Sequence, residues 1–264
     1  MRIARRPPER PVRLPERPVR VGIAALLAAL ALSACDRAPR TMPQSSGDPA
    51  AGPDVFQAPR RIEGGDRRDY AEAKKAAAER RTAAAAAGEG GDVEAARRAF
   101  CRAVRDDIIP PWLGTGWDFN GTTETPGEGK IACGYFVTTV LRDAGLDLER
   151  VRLAQAASES MIKTLVSAGH IKRFSDMPIA DFTQAVRDWG SGIYVVGLDS
   201  HTGFIIADAE GVLFVHSCNW EPCCVIAESA DTSPILAKSR YRVLGNLSAD
   251  AELMRKWRDG EAVR

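Results

Sequence analysis

The chain lacks a run of apolar residues long enough to cross a bilayer as a helix, which takes about 20. The Ala- and Leu-rich stretch Val21–Ala31 is too short. Histidine is scarce: three stand in 264 residues, so any imidazole chemistry rests on His170, His201 or His216. Zinc-type ligand spacing is missing as well. His216, Cys218, Cys223 and Cys224 lie close in sequence, but His-x-Cys followed by an adjacent cysteine pair is not the usual pattern, and neighbouring cysteines rarely ligate one ion. No metal and no cofactor is expected. Net positive charge is also absent once the first 34 residues are set aside. They hold seven Arg and two Glu of the 36 basic and 35 acidic residues, leaving 29 and 33, a net charge of −4. With no basic patch or nucleic-acid motif in that remainder, a nucleic-acid partner is excluded.

What the first 34 residues do carry is the pattern of an export signal. Arginines at 2, 5, 6, 10, 13, 17 and 20 precede the apolar run, and small residues then lead to a cysteine in Leu32-Ser33-Ala34-Cys35. Pro8–Arg13 recurs as Pro15–Arg20, a short tandem duplication within the basic part. The tetrapeptide resembles the bacterial lipobox. That resemblance implies cleavage before Cys35, lipid on that cysteine and a membrane-anchored protein of the cell envelope facing the periplasm or exterior. Five cysteines then remain, Cys101, Cys133, Cys218, Cys223 and Cys224. An odd number in an oxidising compartment suggests one thiol kept free. Which of the others pair stays open.

Composition divides the rest. Asp36–Gly65 is rich in Pro, Gly, Ser and Arg and reads as a flexible tether. Asp69–Ala87 favours helix but has no apolar stripe beyond alanine, so residues 35–91 are expected to form a tether that passes into a solvated helix. The folded domain is expected over 92–250, followed by a C-terminal tail at 251–264, with Asp250–Asp259 reading as a terminal helix of little consequence. Asp92 is a helix N-cap candidate. Val93, Ala96, Phe100, Val104 and Ile108 follow at helical spacing, and Pro110-Pro111 is expected to stop that helix. Cys133–Ala144 reads as a second helix with Phe136, Val137, Val140, Leu141 and Ala144 on one face. Leu153–Val166 and Pro178–Trp189 read as two more. After Gly192 the period becomes strand-like, at Ile193–Leu198, His201–Ala207, Val212–Ser217, Val225–Glu228 and Arg240–Leu247. Helices first and strands afterwards predict an α+β domain, N-terminal helices packed on a C-terminal antiparallel sheet.

Two histidines fall in that strand half. If Asp208-Ala209-Glu210-Gly211 forms the hairpin loop, Ala207 faces Val212 and Gly203 faces His216. His201 then lies diagonal to His216 on one face. A three-residue loop with a bulge would send the two rings to opposite faces. Cys133 sits where a glycine-rich loop ends and a helix begins, a place where the helix dipole favours thiolate. The competing assignment is a core cysteine, since Cys133, Val137, Val140 and Ala144 share a helical face. His170, alone after Gly169, reads as a loop or surface residue.

Residues 112–217 resemble the NlpC/P60 superfamily of cell-wall peptidases, which have a papain-like fold. The resemblance rests on Trp117-Asp118-Phe119-Asn120-Gly121, Ala132-Cys133-Gly134-Tyr135-Phe136-Val137, His201-Thr202-Gly203-Phe204 and Val215-His216-Ser217. Ala132 stands where the family has Asp and Gly134 where it has Ser, and residues 153–190 lengthen the interval between cysteine and histidine. Carried over to the matching positions, the resemblance implies Cys133 as nucleophile, His201 as its general base and His216 as the residue that orients His201, with Trp117 and Gly134 lining the cleft. The expected function is a lipid-anchored cysteine hydrolase of amide bonds, with cell-wall peptide as substrate. The alternative is a non-catalytic lipoprotein of the same fold that binds wall peptide or a protein partner, which the altered residues beside Cys133 would suit. A third possibility is acyl transfer by the same cysteine.

Overall fold

The structure is a computed structural model and describes residues 69–86 and 93–264. The expected export signal, Cys35 and the expected tether up to residue 68, and likewise the N-cap candidate Asp92, lie outside the described residues. Among the described residues, no helix is long and apolar enough to cross a membrane.

Helix α1 (Tyr70–Ala85) opens on Asp69, whose side chain accepts the Ala71 N–H and caps the helix. The expected solvated helix is instead docked. Ala73 and Ala77, one turn apart, are buried; without longer side chains there, the backbones approach closely. Polar anchors hold its two ends. The Tyr70 hydroxyl donates to Asp143 (2.7 Å) and accepts from the Trp112 indole (2.9 Å), while Arg80 pairs with buried Asp107 at 2.5 Å.

Helix α2 (Val93–Arg102) runs through a π-helical segment (Ala103–Ile108) into α3 (Ile109–Trp112). The expected stop at Pro110-Pro111 is therefore displaced to their far side. A proline ring in a helix clashes with the carbonyl four residues back and supplies no N–H. The wider π turn just ahead, where Ile109 N–H bonds to the Val104 carbonyl, relieves both problems. Phe100, Val104, Ile108 and Trp112 are all fully buried.

Two short strands, β1 (Gly116–Trp117) and β2 (Lys130–Ile131), pair in parallel and lead into helix α4 (Cys133–Asp143). As its periodicity predicts, α4 buries Phe136, Val137, Val140 and Leu141 and is closed by Gly145 at φ 107°. The next helical region is not continuous over Leu153–Val166. After β3 (Asp147–Leu148) it is split into α5 (Arg150–Ala154) and α6 (Ser158–Leu165).

A six-stranded antiparallel sheet follows, in spatial order β4-β9-β5-β6-β7-β8. Its strands in chain order are β4 (Ile171–Ser175), β5 (Gly192–Leu198), β6 (Thr202–Asp208), β7 (Gly211–Ser217), β8 (Val225–Ser229) and β9 (Tyr241–Asn246). Helix α7 (Ile179–Trp189) lies between β4 and β5 in sequence, and α8 (Pro234–Lys238) between β8 and β9. The fold is thus α+β, with N-terminal helices and a C-terminal antiparallel sheet. One face of the sheet, including Val195, Phe204, Ile206 and Val215, shares a core with α2, α4 and α6. The other, including Tyr194, Ile205, Val212 and Phe214, packs on α7 and α8. Strand β5 is buried at every position, as befits a strand covered on both faces.

The terminal helix expected at Asp250–Asp259 is present, but it is no mere tail and closes the structure. Helix α9 (Ala251–Asp259), capped by Asp250, buries Leu253, Met254 and Trp257, and β10 (Ala262–Val263) pairs in parallel with β3. The Trp257 ring meets Phe100 edge-on at 5.6 Å, and its N–H donates to the Ala144 carbonyl at 2.8 Å. Losing a buried tryptophan of this kind costs about 3–5 kcal/mol.

Candidate active site

The β6–β7 register decides where the two histidines stand. Ala207 pairs with Val212 and Phe204 with Val215, the alignment that a loop without a bulge requires. Pairing runs one step further, to Asp208 and Gly211, so the turn itself is Ala209-Glu210. Asp208 accepts the N–H groups of Glu210 (2.9 Å) and Gly211 (3.2 Å), and Gly211 takes φ 150°. His201 and His216 accordingly share a face. Their rings meet edge-on, with His201 Nε2 and His216 Nδ1 2.9 Å apart. A side chain at Gly203 would run into His216 and Phe214, so glycine is needed for this approach. His216 is fully buried and stacks on Phe214 at 3.9 Å between centroids, while His201 retains 8% exposure.

The next strand contributes a residue that no sequence pattern singled out. Glu228 on β8 pairs with Phe214 across the ladder, which places it diagonal to His216. Its carboxylate lies 3.3 Å from His216 Nε2 and accepts the Ser233 hydroxyl at 2.6 Å. Burial pushes the Glu228 carboxyl up, but hydrogen bonds from His216 and Ser233 outweigh it and hold the group below its ordinary range. An ionised carboxylate can only accept, so His216 must donate from Nε2. A neutral His216 then presents a lone pair at Nδ1 and must accept the Nε2 proton of His201. His201 is left with an unprotonated Nδ1. Three adjacent strands thus fix the tautomer of one imidazole.

Cys133 approaches from the other layer. Its position is set by the preceding β2: Ile131 pairs with Trp117 and bridges to Thr122, Ala132 N–H bonds to the Gly121 carbonyl (2.8 Å), and Ser217 Oγ donates to the Ile131 carbonyl (2.7 Å). That last bond ties the end of β7 to the chain just before the cysteine. The Cys133 sulfur is faced by the backbone N–H of Thr202, the residue after His201, and by those of Gly134 and Cys133 itself. His201 Nε2 is committed to His216, so Nδ1 is the ring nitrogen available to a thiol.

The resting charge state differs from the expectation of a depressed thiol. Burial pushes the Cys133 thiol up, and the opposing amides at the helix start do not compensate. Burial, helped by His216, pulls His201 down to about 3, and burial likewise lowers His216 against the pull of Glu228. At neutral pH the site therefore holds a neutral thiol and neutral imidazoles, not a preformed ion pair.

Of the two residues expected to line a cleft, Trp117 is half-buried on β1, where its backbone N–H donates to the Cys223 carbonyl (2.8 Å). Gly134 is buried, and a Cβ there would overlap the Ala154 carbonyl oxygen. Helix α5 thus occupies the space that a side chain at this position would need. His170 stands apart, hydrogen-bonded to Ser167 at 2.9 Å. All five described cysteines are free thiols. In comparisons with known proteins, no family model, no curated protein and no solved structure matches this chain.

Proposed function

We propose that the domain is a cysteine hydrolase of amide bonds, a divergent papain-like protein of the NlpC/P60 kind, with cell-wall peptide as its substrate class. One observation carries the reading: the His201–His216–Glu228 chain ends in a ring nitrogen with a lone pair, next to the strand amide that faces a helix-N-terminal cysteine. In this mechanism the thiol proton passes to His201 Nδ1 as sulfur attacks the carbonyl carbon. The C–N bond then breaks, and His201 returns the proton to the departing amine, leaving a thioester on Cys133. Water attacks the thioester with His201 again as base, releasing the carboxylic acid and the thiol. His216 accepts a hydrogen bond from the imidazolium, and Glu228 offsets the transient positive charge through it. The backbone N–H of Cys133 and a neighbouring donor hold the oxyanion. Because the resting pair is neutral, thiolate forms only during attack.

Lipid on Cys35 would hold this domain at a membrane within the cell envelope. Cys35→Ala should release the protein into the soluble fraction, and unchanged membrane fractionation with equal fatty-acid labelling would refute the anchor. The hydrolase reading is tested on wall peptides and with an electrophilic thiol probe. Wild type should turn over or be labelled at Cys133, while Cys133→Ala and His201→Ala should do neither. The neutral resting pair and the packing of α5 over Gly134 favour a second reading, a non-catalytic wall-peptide binder. Saturable peptide binding without probe labelling or turnover would establish it instead.

A further inference from the structure

Three of the five described thiols gather where β7 turns into β8. The ladder pairs His216 with Ile226 and Ser217 with Val225, and the Cys218 N–H then donates to the Cys224 carbonyl at 2.9 Å. That bond carries the pairing one step further and sets Cys218 directly opposite Cys224. Residues so opposed point to the same face of the sheet. Here it is the face packed on α7 and α8, since Phe214, Cys218 and Ile226 share that core. The α-carbons of a hydrogen-bonded antiparallel pair lie about 5.5 Å apart, inside the ~4.4–6.8 Å that a disulfide spans.

The other thiols are placed differently. Cys223 has a left-handed φ of 55°, its N–H donates to the Trp220 carbonyl (2.5 Å), and its carbonyl accepts the Trp117 backbone N–H. It ends the turn and does not join the ladder. Cys101 lies in the core on the other side of the sheet. The Cys218 thiol is turned toward the loop, accepting the Trp220 N–H at 3.4 Å and donating to the Trp220 carbonyl at 3.3 Å. Cys218 is buried, whereas Cys224 is half-buried and open to a reagent from solvent.

We propose that Cys218 and Cys224 form a covalent modification site, a pair that closes a cross-strand disulfide by exchange with a low-molecular-weight disulfide. The Cys224 thiolate attacks one sulfur of that co-reactant, giving a mixed disulfide and releasing one thiolate. The Cys218 thiolate then attacks the Cys224 sulfur, the internal S–S bond forms and the second thiolate leaves. The two protein protons end on the released thiols, so the cysteines give up two electrons and the co-reactant takes them. Burial pushes both thiols up, and Cys223 adds to the rise at each, so the exchange should quicken as pH rises. The bond fastens the frame of the candidate site. Strand β7 carries His216, and Cys223 and Val225 are hydrogen-bonded to Trp117, Thr115 and Gly114. A link from Cys218 to Cys224 ties that outer segment to the strand bearing the imidazole relay. None of this depends on the hydrolase reading.

The test equilibrates the full chain in mixtures of reduced and oxidised glutathione, quenches with acid and maps the bonds by mass spectrometry. Cleavage after Trp220 parts Cys218 from the other two, so its link appears as two joined fragments, and fragmentation then tells Cys223 from Cys224. Wild type should show Cys218 joined to Cys224. Cys218→Ser and Cys224→Ser should lose the bond, and Cys223→Ser should keep it. The wild-type map decides the pairing even where serine at buried Cys218 disturbs folding. Because the native ladder already sets the two residues opposite each other, the equilibrium constant for closing the bond should fall about tenfold or more in urea that unfolds the chain. A wild-type bond made to Cys223, a Cys218–Cys224 bond no weaker in urea, or thiols that stay reduced at every glutathione ratio would overturn the proposal.

Discussion

Acid should weaken this domain in a way that exposes the charge state of His201. In the folded protein its imidazole is held down at about 3 from an ordinary value of 6.5 by burial and by His216. Between those values the unfolded chain binds a proton that the folded chain refuses, so stability rises with pH through that window. The contribution is whole above pH 6.5 and is lost as pH falls toward 3. Down to pH 5, before most carboxylates titrate, His201 alone should remove about 2 kcal/mol, and the full window about 4–5 kcal/mol. His216, lowered by burial in the same direction, adds to the slope. The assay is urea unfolding at pH 7.5, 6.5, 5.5 and 5.0, followed by emission of the buried Trp112 and Trp257. His201→Gln, which keeps a donor toward His216 but cannot take up the proton, should lose about 2 kcal/mol less than wild type over this range. Equal pH dependence in the two proteins would refute the argument. So would a wild type that gains stability relative to the variant as pH falls, because that is the signature of an imidazolium held by a thiolate.

Cys133, as a thiol pushed up by burial, should react with iodoacetamide at a rate that climbs through pH 9. A plateau from pH 5 to 8 would instead mean a resting ion pair. Fully buried Cys101, pushed up to about 12, should stay unmodified until the protein unfolds, which peptide mapping of native and urea-treated samples can check. Glu228→Gln removes the acceptor-only end of the relay and should slow Cys133 labelling about tenfold or more; labelling at the wild-type rate would show that the carboxylate does not set the tautomer. Gly134→Ser must displace Ala154, and should cost about 1–3 kcal/mol in urea unfolding; a stability change under 0.5 kcal/mol would mean α5 yields freely.

The strand half was legible because alternation and turn residues act over short distances. The hairpin of β6 and β7 followed from Asp208-Ala209-Glu210-Gly211 and one glycine opposite His216. Reading the same alternation onto β8 would have put Glu228 diagonal to His216, yet a lone acid in a short strand carries no mark until its partner strand is known. Docking of α1 was hidden because alanine adds little to an apolar stripe while still allowing close packing. Nothing in residues 93–112 announces a π turn, since the same apolar positions suit either winding. Strand β4, with Lys172 and Arg173 exposed at the sheet edge, lacks the apolar alternation that marks a half-buried strand. The thiol was misjudged for a different reason. Its helix-end amides are visible in sequence, but its burial depends on β6 and β7, which follow about 70 residues later.

Any pull on the chain ahead of Asp69 enters the domain at Tyr70, the first residue of α1. From there the tension passes through one hydroxyl to Trp112 and to Asp143 at the far end of α4. Cys133 stands at the opposite end of that helix, 11 residues long and so about 15 Å away along its axis. The load is also shared by the Arg80–Asp107 pair and the Arg81 bond to the Gly145 carbonyl. None of these hydrogen bonds or ion pairs is made to a residue of β6, β7 or β8. Tension arriving at Asp69 is thus met first by hydrogen bonds and an ion pair to the π-helical segment, α3 and the far end of α4, one helix length from Cys133.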